Sequence, residues 1–149
     1  MSDDFRHSTP VQVRFRDIDA FGHVNNAVVS TYVELARVSY LRDVLRLDPV
    51  GPANRMPLIL GMIKIDYESP IFLADAVRVG SRVDWIGRSS IHMSHQLAAE
   101  SGRDLARAAS VLVAYDYAQA RPMAVPDDWR TLLAAHEGRS LQRPQQGEA

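Results

Sequence analysis

Two carboxylates, a histidine and two asparagines lie within ten residues of one another, between a strand pattern and a helical pattern. In chain order the set, with the glycine at its centre, is Asp17, Asp19, Gly22, His23, Asn25 and Asn26. A helix N-terminus offers unpaired backbone N–H groups and a partial positive charge. An aspartate just before it can act on an electrophile whose developing oxyanion these N–H groups hold. The spacing therefore predicts hydrolysis at a carbonyl carbon.

Asp19 is the candidate catalytic carboxylate, because it directly precedes the turn that leads into the helix. The commoner role for an aspartate at such a position is to form the turn by bonding local backbone N–H groups. Asp17 lies two residues earlier, where it would share the strand face of Asp19. Two close carboxylates can divide acid and base roles, or one can act while the other orients the turn.

His23 is compatible with a general base and with a structural hydrogen bond at the turn, and the structural role is favoured. Together with Asp17 and Asp19 it also contains the donor atoms of a metal site. No second histidine follows nearby at ligand spacing, which disfavours such a site. We therefore expect no metal and no cofactor.

The composition bounds the class of protein. A chain of 149 residues with 46% hydrophobic residues and a net charge of -1 fits one globular domain with no bias towards nucleic acid or an anionic membrane. The lack of cysteine excludes disulfides and a thiol nucleophile. No signal-peptide pattern and no apolar run of membrane-spanning length occur, so a soluble, cytoplasmic protein is expected. Serine-hydrolase, P-loop, zinc-protease and Rossmann motifs are absent.

The spacing of apolar residues predicts the elements that must position the set. Alternation over 11–15 indicates a strand that leads into the turn. Steps of three and four over 29–44 indicate one long helix, capped by Asn25 or Asn26 and ending near Leu47. Within it, Glu34 and Arg37 are spaced for a surface ion pair.

Beyond a loop at 48–57, four more strand patterns follow in succession, which favours antiparallel pairing by hairpins. The last of them, 105–117, is apolar on both faces, as is typical of an internal strand, and we expect a partner subunit to cover part of it. A short helix ends near His136. The single domain is expected to span 1–136, and the polar tail 137–149 is expected to be disordered.

One hairpin turn is rich in hydrogen-bond donors. It contains Arg88, Ser89 and Ser90, which are residue types that bind phosphate groups. A solvated hairpin is the simpler interpretation of the same residues.

The run Asp-Ile-Asp-Ala-Phe-Gly-His-Val-Asn-Asn at 17–26, continued by Tyr-Val-Glu-Leu-Ala-Arg at 32–37, resembles the signature of the hotdog-fold acyl-CoA thioesterases, in particular the 4-hydroxybenzoyl-CoA thioesterase branch. A weaker match covers 65–70. The resemblance implies an α+β fold in which an antiparallel sheet of about five strands wraps a long central helix. It also implies an acyl-CoA thioesterase, in which Asp19 is the nucleophile or the general base and backbone amides near Asn26 hold the oxyanion.

The same resemblance implies a dimer or a dimer of dimers with sites at the subunit interface, and a substrate delivered by coenzyme A or an acyl-carrier protein. The candidate substrate contacts are Asp17, Gly22, Asn25, Arg88, Ser89 and Ser90, with His23 and Asn26 beside Asp19 in the catalytic group. Val29 replaces a frequent tyrosine, and Ala74 replaces the usual glycine before Asp75. Two alternatives remain open: an acyl-thioester hydratase or dehydratase with His23 as base, and a non-catalytic acyl-thioester binding protein.

Overall fold

In a computed structural model, residues 4–47 and 56–145 of the chain are described. The elements in chain order are β1 (His7–Gln12), a 3-10 turn (Phe15–Asp17), α1 (Asn26–Leu45), β2 (Leu58–Tyr67), β3 (Ala76–Ile86), β4 (Ser90–Ala99), β5 (Asp104–Asp116), β6 (Arg121–Pro122) and α2 (Asp127–Glu137). Neither helix in these two ranges is long and apolar enough to cross a membrane.

One antiparallel sheet carries the six strands of the described ranges, in the order β1-β3-β4-β5-β2, with the short β6 paired to β5. The long helix α1 packs on the sheet, and α2 packs against α1 and β3. A long helix held by an antiparallel sheet is the predicted hotdog arrangement, so the α+β prediction is confirmed. Strand β5 is internal, as its apolar pattern predicted, and β1 and β2 form the two edges.

Local hydrogen bonds and backbone geometry fix the ends of α1. The side-chain oxygen of Asn25 accepts a hydrogen bond from the Ala27 N–H, which caps the N-terminus at the predicted place. At the other end, Arg46 adopts a left-handed conformation with φ 56°, and its N–H donates to Leu41 O. The helix therefore ends at Leu45, two residues before the predicted end.

The inner face of the sheet carries two apolar clusters separated by a row of polar residues. Each of β3, β4 and β5 contributes apolar residues to both clusters and one polar residue between them; the polar residues are Ser81, His95 and Ser110. His95 Nδ1 lies 2.9 Å from Ser81 Oγ and His95 Nε2 lies 3.0 Å from Ser110 Oγ. Burial, and to a lesser extent the charge of Arg37, lower the pKa of His95 to about 3, so this imidazole is neutral in the folded chain.

The predicted surface ion pair between Glu34 and Arg37 is not formed. Arg37 lies on the buried stripe of α1 and is only 6% exposed, whereas Glu34 is exposed. The Nη1 atom of Arg37 has no hydrogen-bond partner among the described residues. The spacing of three residues allows such a pair on a helix surface, but Arg37 belongs to the face of α1 that packs into the protein.

The first strand and the tail also differ from the predictions. Phe15 and Arg16 belong to a 3-10 turn rather than a strand, because the Asp17 side chain accepts a hydrogen bond from the Arg14 N–H. Glu137 ends α2, and Leu141 is buried and accepts a hydrogen bond from Ile86 N–H, so this part of the expected disordered tail is packed. Most of the predicted loop, 48–55, and the final residues 146–149 lie outside the described residues.

The buried neutral His95 predicts a pH dependence of stability. Its pKa is about 3 when folded against an ordinary value of 6.5. Between these values the unfolded chain binds a proton that the folded chain does not, so the free energy of unfolding falls as pH falls through that window. We expect His95→Gln to flatten the fall in Tm between about pH 7 and about pH 5, measured by thermal unfolding.

His92 provides the control for this measurement. It lies on the other face of β4 and is partly exposed, so His92→Gln should remove a smaller share of the pH dependence. Equal flattening by the two substitutions would contradict the role assigned to His95.

Candidate active site

The segment from Asp17 to Asn25 folds back on itself ahead of α1. The Asn25 N–H donates to Asp17 O at 2.9 Å, Ile18 and Val24 form an isolated antiparallel bridge, and the Asp19 N–H donates to His23 O at 3.1 Å. Residues 17–25 thus form one hydrogen-bonded loop, named the catalytic loop after the role that the sequence predicts for Asp19.

Gly22 forms the tip of the catalytic loop. Its φ of 82° is in the left-handed region, where a residue with a side chain is strained, and its N–H donates to Asp19 O at 3.0 Å. Gly22 was predicted to contact substrate, but it does not line the pocket described below. Its observed role is to turn the chain.

Both carboxylate oxygens of Asp19 are oriented by the catalytic loop. Oδ1 accepts a hydrogen bond from the Phe21 N–H at 2.9 Å, and Oδ2 accepts one from Asn25 Nδ2 at 3.1 Å. Asp19 therefore does form the turn, as the structural interpretation of this residue predicted. These hydrogen bonds leave the carboxylate able to react, because each carboxylate oxygen has a second lone pair and Asp19 also lines a pocket.

The first amide of α1, that of Asn26, is left without a partner among the described residues. Asn25 uses its side-chain oxygen to accept from the Ala27 N–H and its carbonyl oxygen to accept from the Val28 N–H. The Asn26 N–H forms no hydrogen bond within the described ranges. It is therefore free to donate to an anion, at the helix end that carries partial positive charge.

A pocket of about 600 Å³ opens in front of these groups. The catalytic loop and α1 line one side, and the end of β2, the segment after it and the start of β5 line the other; the residues are Asp19, Phe21, His23, Val24, Asn25, Asn26, Val29, Tyr67, Glu68, Ser69, Pro70, Ile71, Leu105 and Ala106. The two sides are joined by hydrogen bonds from Tyr67 OH to Asn26 O at 2.9 Å and from Val24 N–H to Ile71 O at 2.8 Å.

Of these fourteen lining residues, the sequence predicted four as site residues: Asp19, His23, Asn25 and Asn26. Leu105 and Ala106 are about eighty residues from the catalytic loop, and only the pairing of β5 with β2 and β4 brings them beside it. The weak resemblance over 65–70 was a usable signal for Tyr67 and Glu68, because both line the pocket.

His23 lines the pocket, but its imidazole makes no hydrogen bond to the Asp19 carboxylate. Its Nδ1 lies 3.3 Å from Val24 O, and its ring stacks on Phe21 with centroids 6.3 Å apart. The structural role favoured for this histidine is consistent with these contacts, although the bond is made to Val24 and not to the carboxylate.

Asp17 was predicted to share a face with Asp19 and to contact substrate, and the structure corrects both points. It is 2% exposed and is absent from the pocket lining. Arg14 donates to it from Nη2 at 2.9 Å and from the backbone N–H at 3.0 Å, and Tyr32 OH donates to it at 2.7 Å. Burial raises the pKa of this carboxyl, but these hydrogen bonds outweigh burial and lower the pKa to about 2, so Asp17 is a buried anion.

The Arg88–Ser90 turn lies at the far end of the sheet from the pocket. Ser90 pairs with Val113, seven residues along β5 from Ala106, which corresponds to about 23 Å at 3.3 Å per residue. The Gly87 and Arg88 carbonyls accept hydrogen bonds from Arg130 on α2. Within one chain the turn does not line the pocket, and its predicted contact with substrate stays a prediction.

The metal alternative has no support in the geometry, because Arg14 and Tyr32 occupy the Asp17 carboxylate. Within residues 4–47 and 56–145 no group of three or more histidine and acidic side chains is placed to hold a metal ion.

A family model described as the thioesterase-like superfamily matches residues 13–134. The chain belongs to the thioesterase-like superfamily. The matched range includes the catalytic loop, α1 and most of α2, so the family resemblance inferred from 17–37 is confirmed over most of the chain.

Solved structures of other proteins share the fold. The chain is similar to a thioesterase of Thermus thermophilus complexed with coenzyme A and zinc, at 37% identity over 94% of this chain and 100% of that one, with a TM-score of 0.82. It is similar to the PA5185 protein of Pseudomonas aeruginosa at 28% identity over 95% and 96% of the two chains, with a TM-score of 0.78. A 1,4-dihydroxy-2-naphthoyl-CoA thioesterase from Synechocystis, 21% identical over 85% and 94%, shows the same fold with a TM-score of 0.76.

Among curated proteins the chain is similar to the uncharacterized protein YsmA of Bacillus subtilis, at 25% identity over 91 residues. That match covers 61% of this chain and 60% of YsmA, so the chain spans less than two thirds of that relative. The family assignment supports the predicted class of enzyme, a thioester hydrolase.

Gly22 has a matched control elsewhere in the chain. Gly102 also has a positive φ, 92°, and neither glycine has any atom within 4 Å of where a Cβ would lie. Alanine at either position should therefore destabilise by about 1–2 kcal/mol through backbone strain alone, measured by urea unfolding. Only Gly22→Ala should also lower the rate of thioester hydrolysis, because only Gly22 shapes the loop that orients Asp19. Equal hydrolysis rates in the two variants would show that the conformation of the loop tip does not affect the orientation of Asp19 needed for hydrolysis.

Proposed function

We propose that the chain hydrolyses the thioester bond of an acyl-CoA, with Asp19 as the catalytic carboxylate and the Asn26 N–H as the donor to the oxyanion. The observation that carries this proposal is that two residues line the same largely apolar pocket: Asp19, whose carboxylate is oriented, and Asn26, whose N–H bonds to none of the described residues. Catalysis of acyl transfer requires these two groups on either side of one carbonyl.

The reaction needs few further groups. As general base, Asp19 accepts a proton from a water molecule whose oxygen bonds to the thioester carbon. As nucleophile, Asp19 bonds to that carbon itself, and water then cleaves the resulting anhydride. In either case the carbonyl oxygen becomes an anion that the Asn26 N–H stabilises. Collapse of the tetrahedral intermediate breaks the carbon–sulfur bond, and the thiolate leaves without a strong acid because thiols have a pKa of about 8.5.

The pocket lining fits an apolar acyl group. Val29, Ile71, Leu105 and Ala106 line the pocket beyond the polar residues of the catalytic loop. Burial of apolar acyl surface against such a lining contributes about 25 cal/mol per Å². The coenzyme A complex of the Thermus relative supports coenzyme A as the carrier.

A second subunit is part of this proposal. No lysine or arginine of the described residues lines the pocket, and Arg107, which adjoins it, is paired with the Glu68 carboxylate. The phosphates of coenzyme A therefore need further cations. The pocket adjoins β2, an edge strand with exposed Leu60, Met62 and Tyr67. Pairing of β2 with a second copy would cover these side chains and satisfy the free edge.

A hydratase is the second candidate, favoured by one observation: the His23 ring lines the pocket, where it could act as a base. The lack of a carboxylate bonded to that ring disfavours it, because the contact of Nδ1 is with Val24 O. The same assay can separate the two reactions, since hydration of an enoyl thioester releases no thiol.

The test of the proposed function is free-thiol release from a panel of short, long and aromatic acyl-CoAs. We expect turnover on one acyl class, and we expect Asp19→Asn to lower kcat by at least about 100-fold, since a positioned base typically contributes 10²–10⁴-fold. Asp128→Asn is the matched control, because Asp128 is an exposed aspartate in the first turn of α2 and does not line the pocket. Retention of wild-type turnover by Asp19→Asn would refute the assigned role. Thiol-free conversion of an enoyl-CoA would instead favour the hydratase.

Self-association is tested at the free edge of the sheet. A charge at Leu60 on β2 should oppose burial of this edge, so Leu60→Arg should shift the chain from dimer to monomer and lower hydrolysis with it. Sedimentation velocity measures the shift. Leu132→Arg, at a comparably exposed leucine on α2, is the control and should leave the dimer intact. A wild-type chain that sediments as a monomer while hydrolysing acyl-CoA would remove the second subunit from the proposal.

A further inference from the structure

The buried anion Asp17 links three parts of the chain that the proposed reaction must keep in place. Its side chain accepts hydrogen bonds from Arg14, which follows β1, and from Tyr32 on α1. Its backbone carbonyl accepts the Asn25 N–H at 2.9 Å. One residue thus joins the end of β1, the base of the catalytic loop and the second turn of α1.

The two groups of the proposed reaction lie on different sides of this junction. Asp19 is part of the catalytic loop, two residues after Asp17, whereas the Asn26 N–H belongs to the first residue of α1. Tyr32 is six residues further along the same helix, or about 9 Å at 1.5 Å per residue. Because a helix moves as a rigid body over that length, the Tyr32–Asp17 bond fixes where the Asn26 N–H stands relative to the loop.

Asn25 completes the connection to the carboxylate. Its N–H is held by Asp17 O, its side-chain oxygen caps α1, and its Nδ2 donates to Asp19 Oδ2. A shift of α1 relative to Asp17 would therefore move both the helix-start amide and a donor to the catalytic carboxylate.

We propose that Tyr32 and Asp17 are positioning residues of the thioesterase site, which set the separation of the Asp19 carboxylate and the Asn26 N–H without touching substrate. The inference rests on the proposed function for the roles of Asp19 and Asn26. Neither Tyr32 nor Asp17 lines the pocket, so loss of their bond should lower kcat and leave KM nearly unchanged. A misplacement of about 1 Å can cost about 100-fold in rate.

The experiment compares two substitutions of the same kind on the same helix. Tyr32→Phe removes only the hydroxyl that donates to Asp17. Tyr40 lies two turns after Tyr32 on α1, further from the pocket. Tyr40→Phe removes a buried hydroxyl that donates to Glu137 on α2. Both variants lose one buried bond to a carboxylate, so they control for each other in stability. Assays are run well below both Tm values.

We expect Tyr32→Phe to lower kcat by about 10- to 100-fold with KM within about threefold, and Tyr40→Phe to keep wild-type kcat. A second readout does not need activity: hydrogen exchange of the Asn25 N–H should speed up in Tyr32→Phe and not in Tyr40→Phe, because Asp17 O holds that amide.

The outcomes separate this inference from the proposed function. Equal kcat values for Tyr32→Phe and Tyr40→Phe in an active enzyme would overturn the positioning role. If the wild-type chain hydrolyses no thioester of the panel, the proposed function fails, and hydrogen exchange alone decides whether Tyr32 holds the loop. Unchanged exchange at Asn25 in Tyr32→Phe would then overturn the inference, and faster exchange would support it as a structural coupling of the loop to α1.

Discussion

The hydrogen bonds to Asp17 are the constraint on which the candidate site depends. Apolar burial holds α1 on the sheet, but the hydrophobic effect is non-directional and does not fix a helix along its own axis. Hydrogen bonds are directional and short-ranged. Tyr32 OH donates to the Asp17 side chain and the Asn25 N–H donates to the Asp17 carbonyl oxygen, and these two bonds can fix the position of α1 along its axis. A reaction that needs a carboxylate and an amide within about 3 Å of one carbonyl group requires that precision. Burying the Asp17 charge is tolerable because Arg14 and Tyr32 satisfy it.

A second polar set, in the middle of the sheet, fixes the register of the central strands. His95 bonds to Ser81 and Ser110 across three strands, and all three are almost fully buried. A slip of one residue in either pairing would turn one of these side chains to the outer face and leave the others unsatisfied. The row thus aligns β5 with β4, and the separate pairing of β5 with β2 places Ala106 opposite Tyr67 at the end of β2. Polar bonds in an apolar core therefore help to align the strand whose start lines the pocket.

The sequence predicted what depends on nearby residues and missed what depends on pairing. Asp19, Asn25 and Asn26 could be grouped because a turn and a helix cap are local features with known residue preferences. Periodicity showed that α1 is buried along one face, but the spacing of Glu34 and Arg37 suggested a surface ion pair, whereas Arg37 lies on the buried face. It also placed Asp17 beside Asp19, because alternation assumes an extended chain. The bond from the Arg14 N–H to the Asp17 side chain ends the strand, which is the competition between side-chain and ladder hydrogen bonds that alternation ignores.

The charges of the pocket separate the proposed chemistry from the recognition of coenzyme A. Asp19 and Glu68 are the carboxylates of the pocket, and Glu68 is paired with Arg107 at 2.9 Å. The partial positive charge of the α1 N-terminus is local to the Asn26 N–H. These charges suit an uncharged acyl thioester whose carbonyl oxygen alone becomes anionic. In the proposed enzyme the phosphates of coenzyme A would therefore lie outside the pocket, near cations that do not line it. On this argument the carboxylate and the oxyanion donor of the proposed reaction come from one chain, and recognition of the phosphates is a separate requirement.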